Sequence, residues 1–234
     1  MDEHGFSFLT AAQAAPSARA TFLKRTYAHL LGAVLAFILV STALYSSGLS
    51  EILTALIISG GSLGWLAILG GFMLISWLST ALTTQRGSVG VQYFGLGLMV
   101  VVEAVIFAPL LYIAHVYAPG VLPMAAFWTL FIFAGLTILV FATGQDFSFL
   151  KGFLVVGGLV AIGTIVLGAI FGWELGVWFS AAMILFASLA ILYDTSKVLH
   201  RYPTDMHVAA ALDLFTSVAL LFWYVLRLLL AARR

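Results

Sequence analysis

The sequence predicts an all-α membrane protein, a bundle of seven transmembrane helices, on three observations. Of its 234 residues 63% are apolar and only 8% are charged, against about 25% charged in an ordinary soluble domain. So little charge cannot clothe a globule in water, and lipid must be the solvent for most of the surface. The apolar residues also gather into seven stretches of about 20, the length that crosses a bilayer core. Short polar connections separate them, which makes consecutive helices antiparallel neighbours. The length fits one compact bundle without a large soluble domain.

Residues 1–22 are polar or small, with Asp2 and Glu3 and no basic start before an apolar core. They read as a flexible cytosolic tail rather than a signal peptide, leaving 23–234 as the transmembrane domain. The first span runs from Tyr27 to Ser46, behind Lys24 and Arg25. Residues 48–62 are too short to span and are expected to form a loop or half-helix. The second span covers Gly64–Thr84 and is closed by Arg86, and the third and fourth cover Gln92–Tyr117 and Val121–Thr143. The fifth runs from Phe149 to Gly172; Asp146 and Ser148 before it read as its caps, and its many glycines as close helix packing. The sixth spans Leu175–Asp194 and the seventh His207–Leu230.

Orientation follows from the basic residues of short loops. With the N-terminus in the cytosol, that side holds Arg19, Lys24, Arg25, Arg86, Lys151, Lys197 and Arg201, and the other holds Arg227, Arg233 and Arg234. The majority favours N-inside, C-outside, although the basic C-terminus leaves open a seventh segment that re-enters and returns. The net charge of +1, without a basic run, makes nucleic acid an unsuitable partner. The absence of cysteine removes disulfides, thiolate metal sites and thiol catalysis together.

Charged side chains inside the bilayer are costly, about 3 kcal/mol each on insertion scales, and so point to function. Glu103 falls near the middle of the third helix, Asp194 at the end of the sixth, Asp213 in the first turns of the seventh and Arg227 near its far end. The loop from Ser196 to Met206 reverses the chain, so both aspartates fall near one membrane boundary. Two carboxylates in a low dielectric do not both ionise cheaply, and such a pair shares a proton or holds a cation. Calcium suits the oxygen donors but takes six to eight of them, so two side chains make a transient site, fitter for passage than storage. The plainer alternative has both aspartates as interfacial residues, one bonded in the turn and one solvated. Asp213, Ser217, Leu220, Tyr224 and Arg227 form a polar stripe that belongs inside the bundle. Arg227 lies about 21 Å along the axis from Asp213 and reads as snorkelling to the far interface. Glu103 reads as a residue of the pathway or as one bonded to a neighbouring helix. Arg86 reads as a topology anchor or a carboxylate's partner.

The run Ile191-Leu192-Tyr193-Asp194-Thr195 resembles the Tyr-Asp-Thr signature of the Bax-inhibitor-motif family. Thr143–Leu150 is similar to that family's segment before the fifth helix, Glu103 followed by Pro109 to its Glu-Gly…Pro pattern with Ala104 replacing the Gly, and Phe222–Leu228 to its closing helix. The resemblance is nearest to the YccA-like bacterial branch and implies a seven-helix bundle with the last helix central. It implies a pH-sensitive calcium or cation leak gated by aspartates on helices six and seven. Alternatively, it implies a non-transporting regulator that binds a membrane-bound AAA protease, with residues 1–22 as the handle. By this resemblance Asp194 carries over, but the family's seventh-helix aspartate falls on Ser217; Asp213 lies one turn nearer the cytosol. The partners expected are the lipid bilayer, a cation and a membrane protein. The expected location is the bacterial inner membrane.

An enzyme is not expected. Consecutive-helix aspartates occur in intramembrane aspartyl proteases, but Ala210-Ala211-Leu212-Asp213 stands where that family has Gly-x-Gly-Asp. The serine of Gly87-Ser88-Val89-Gly90 has no assigned histidine partner, and the seventh helix has no lysine for a retinal Schiff base. No cofactor is expected.

Overall fold

The computed structural model describes residues 9–233. Among them lie seven α-helices and no strand: α1 (Pro16–Ser46), α2 (Leu49–Thr83), α3 (Val89–Tyr117), α4 (Val121–Thr143), α5 (Leu150–Phe171), α6 (Val177–His200) and α7 (His207–Ala231). Each is long and apolar enough to cross a membrane.

The differences from expectation all concern where helices begin and end. α1 starts at Pro16 rather than Tyr27, a residue suited to a first helical turn because its missing N–H would be unpaired there anyway. Phe22 and Thr26 on this added stretch are buried. Hydropathy marks only the length of chain at membrane depth, whereas the helix continues into the polar zone as long as it has something to pack on. Of the expected flexible tail, residues 1–8 lie outside the described residues. The rest is seated: the Ala11 N–H donates to the Tyr202 carbonyl at 2.9 Å, and Thr10 pairs with Pro203 in an isolated antiparallel bridge.

Residues 49–60 are helical and form the first part of α2, joined to the second part at Gly61 with φ 56° and ψ −152°. Only glycine adopts that backbone readily, which explains how a half-helix and a spanning helix run on from one another with a kink. α6 continues six residues beyond Asp194, to His200. Thr195, Ser196, Val198 and Leu199 are all buried there, so Asp194 stands inside the helix rather than at its end. At α5 the residue preceding the helix is Phe149, which offers no side-chain cap. Asp146 instead accepts the Ser148 N–H at 2.9 Å and the Ser148 hydroxyl, closing an Asx turn ahead of the helix.

α7 packs against α1, α2, α3, α4 and α6. It buries more of its residues than any other of these helices. The outer faces carry exposed Leu63, Trp77, Trp178 and Leu185, as helices that face lipid do. Between α5 and α6, Gly157 lies against Phe186, whose ring would come within 2.9 Å of an added Cβ. Small residues permit such approaches, and helices in lipid associate by close contact rather than by the hydrophobic effect.

The connections sort into two ends. At the near end, the segment before α1 touches the α6–α7 loop. Arg86 of the α2–α3 connection reaches Met206, and Phe147 of the α4–α5 connection donates its N–H to Ser196. At the far end, Arg227 donates to the Leu175 carbonyl between α5 and α6, and Arg233 to the Pro119 carbonyl between α3 and α4.

Candidate ion site

The site forms where α6 and α7 run antiparallel at the near end. Asp194 and Lys197 stand three residues apart on α6, and Asp213 and Ser217 four apart on α7, so each pair shares one helix face. The two faces meet as a ladder. The Ser217 hydroxyl donates to Asp194 Oδ2 at 2.5 Å. One turn nearer the end, Lys197 Nζ donates to Asp213 Oδ2 at 2.6 Å. The Tyr202 hydroxyl donates to the same oxygen at 2.6 Å. The ammonium also sits 4.9 Å from the centroid of the Tyr202 ring, within cation–π range.

This differs from a plain pair of aspartates. Asp194 and Asp213 are within Coulomb reach of one another, but each has its own partner. Lys197–Asp213 is the salt bridge found among the described residues, with side chains 32% and 19% exposed. With all three groups ionised, the cluster carries one negative charge in excess. Burial, followed by the Asp213 charge, pushes the Tyr202 phenol above its ordinary range. Tyr202 therefore remains a proton donor to Asp213 at any pH the protein meets.

Neighbouring groups extend the network towards α5. The Ser196 hydroxyl donates to Asp146 at 3.3 Å. The hydrogen bond from the Ser148 hydroxyl is the largest influence on the Asp146 carboxyl. Burial, the next largest, opposes it, and the Ser148 N–H, the Ser196 hydroxyl and the Arg201 charge join Ser148 in holding the carboxyl below the usual range.

A resident calcium ion does not fit these donors. Oδ2 of Asp213 is taken by an ammonium and a phenol, and no group of three or more His, Asp or Glu with metal spacing occurs among the described residues. An ion meeting Asp194 here would keep most of its water.

A family model described as Inhibitor of apoptosis-promoting Bax1 matches residues 19–234. The chain belongs to the Bax inhibitor family. It is 33% identical over 112 residues to the "Uncharacterized protein PA2604" of Pseudomonas aeruginosa, covering 47% of this chain and 49% of that one. It is 30% identical over 141 residues to the "Uncharacterized protein NMA0420" of Neisseria meningitidis, covering 59% of each. These matches span about half to three-fifths of the relatives' lengths.

In this Bax inhibitor family chain the remaining candidate residues are scattered. Glu103 is buried at 5% exposure, among Met99, Val100, Ala104 and Phe107 on α3. It makes no hydrogen bond among the described residues, so the neighbouring-helix partner expected for it is not found. Arg86 meets the Met206 sulfur at 3.5 Å rather than a carboxylate. Arg227 is at the far end, as its distance from Asp213 requires, but binds a loop carbonyl at 2.6 Å instead of reaching freely outward.

Two site residues escaped the sequence reading, Lys197 and Tyr202. Ending the sixth helix at Asp194 hid the fact that Lys197 follows on the same face, three residues on. Tyr202 belongs to the loop, where no periodicity points to a partner.

Proposed function

We propose that the protein is a pH-responsive cation leak pathway or transporter whose gate is the Asp194–Ser217 and Lys197–Asp213 ladder. The observation that carries this reading is the Lys197 ammonium bonded to Asp213 one turn from Asp194. A tethered cation holds one carboxylate, and the other keeps only a neutral hydroxyl. A mobile cation entering from the near end competes with Lys197 for Asp213 and finds its remaining electrostatic attraction at Asp194. As pH falls, the cluster takes up a proton and loses its excess negative charge, so cation flux declines. As pH rises, flux increases. Calcium is the first ion to test, in keeping with the resemblance to family members that leak it.

The direct test is calcium flux in liposomes holding the purified protein, measured across neutral pH. Flux should rise with pH in the native protein and drop about tenfold in Asp194→Asn, a change of about 1.4 kcal/mol in the barrier. Flux identical in the two proteins at every pH would remove the carboxylate from the pathway. Copurification of a membrane-bound AAA protease with an otherwise inactive protein would then favour the regulatory reading.

A further inference from the structure

The segment ahead of α1 ends in a contact that nothing in the membrane reading requires. Ala11 is fully buried, and it belongs to the same packed cluster as Phe22, Tyr202 and Met206. Its N–H is bonded to the carbonyl of Tyr202, and Thr10 is paired with Pro203. Tyr202 is the residue whose hydroxyl reaches Asp213 and whose ring faces the Lys197 ammonium. The backbone of Tyr202 is thus held from one side by the N-terminal segment while its side chain holds the charged clamp from the other. Beside this contact an open cleft lined by Ser17, Thr21, Arg25 and Thr204 separates the first turns of α1 from the loop. The Tyr202 N–H is tied to the Lys197 carbonyl at 3.0 Å within its own helix end, and from the N-terminal side Thr10 and Ala11 supply the backbone contacts to the loop.

We propose that residues 9–15 are an intramolecular latch: seated on the α6–α7 loop, they position Tyr202 against Asp213 and thereby keep the Lys197–Asp213 clamp closed. Lifting the segment removes the hold on the Tyr202 carbonyl, leaving its N–H bond to Lys197, and so weakens the phenol–carboxylate bond and loosens the lysine. Tyr202 is a positioning residue in this scheme, acting through Asp213. The consequence for flux rests on the ion-pathway reading above, but the mechanical link does not.

The link is read from the lysine itself. The chain has three lysines, Lys24, Lys151 and Lys197; the first two are exposed and serve as internal standards for acetylation by a water-soluble amine reagent, followed by mass spectrometry on the full-length protein. Ala11→Pro deletes the donor to Tyr202 while tolerating the extended backbone that a residue before proline adopts. It should raise Lys197 acetylation relative to the standards by about fivefold, the population change one ordinary hydrogen bond supports. Because the native chain has no cysteine, Thr10→Cys with Pro203→Cys gives a single disulfide across the bridge, where paired residues lie within bonding distance. Oxidised and reduced forms of that one folded protein can then be compared. Oxidation should slow Lys197 acetylation, and in a Tyr202→Phe background it should leave the rate unchanged.

Lys197 reactivity equal in native, Ala11→Pro, oxidised and reduced proteins would overturn the latch, and an oxidation effect that survives Tyr202→Phe would overturn the role of Tyr202. Absence of cation flux in the native protein would instead sink the pathway reading, with the acetylation pattern still deciding the latch.

Discussion

Ser217 and Glu103 illustrate opposite treatments of a carboxyl group in the bundle. Asp194 has a hydroxyl aimed at it, and hydrogen bonds to a charged group contribute about 1.5–3 kcal/mol. Ser217→Ala should therefore lower the unfolding free energy by about 1–3 kcal/mol, seen as a lower midpoint in thermal unfolding. Ser217→Asp would place a second carboxylate against Asp194, and like charges at that distance do not both ionise. Its flux should depend more steeply on pH than that of the native protein. Among the described residues Glu103 has no such partner, and burying an unpaired carboxyl is costly. Glu103→Gln should thus unfold at the same temperature as the native protein or higher; a loss as large as that of Ser217→Ala would mean a bonded partner exists. The aspartates and Glu103 were legible in the sequence because a charge in an apolar run stands out. Lys197 was not: a lysine near a loop looks like an ordinary topology signal until the helix is known to pass beneath it.

At the scale of elements, membrane spans are easier to read than helices. Hydropathy located all seven apolar stretches but cut α1 and α6 short, since the additional turns are held by packing of Phe22, Val198 and Leu199 rather than by lipid. α2 shows the converse, a half-helix and a span run together through Gly61. Its backbone lies in a region costing about 1–3 kcal/mol for other residues. Gly61→Ala should destabilise the protein by that amount or straighten α2, either of which a thermal shift and a distance measurement across the kink would register. The turn before α5 carries a pH signature. The Asp146 carboxyl is held below the ordinary range by Ser148 and Ser196, so its contribution is complete above that range and fades as pH drops through its folded value. Asp146→Asn should flatten the acid side of the stability curve. Because the group is largely open to solvent, the effect should stay below about 1 kcal/mol.

For the whole molecule, the two-ended arrangement of connections places the seated N-terminal segment, the candidate site on α6 and α7 and the α2–α3 and α4–α5 connections together at the near end. The excess of lysine and arginine there predicts that this end faces the cytosol. Single cysteines introduced at Ser148 and Thr204 should then resist a membrane-impermeant maleimide in intact cells, while one at Trp173 should react; the reverse pattern would invert the orientation. The fold class was legible because composition leaves no alternative to lipid. The partnering of charges was not, since it depends on the register of α6 against α7, and two helices of similar hydropathy fit at many registers until side chains select one.

The most direct measurement compares calcium flux through native, Lys197→Met and Asp194→Asn proteins reconstituted side by side. Removing the tethered ammonium should raise flux and removing the Asp194 carboxylate should lower it, each by about tenfold. Three equal fluxes would contradict a gate built from these charges.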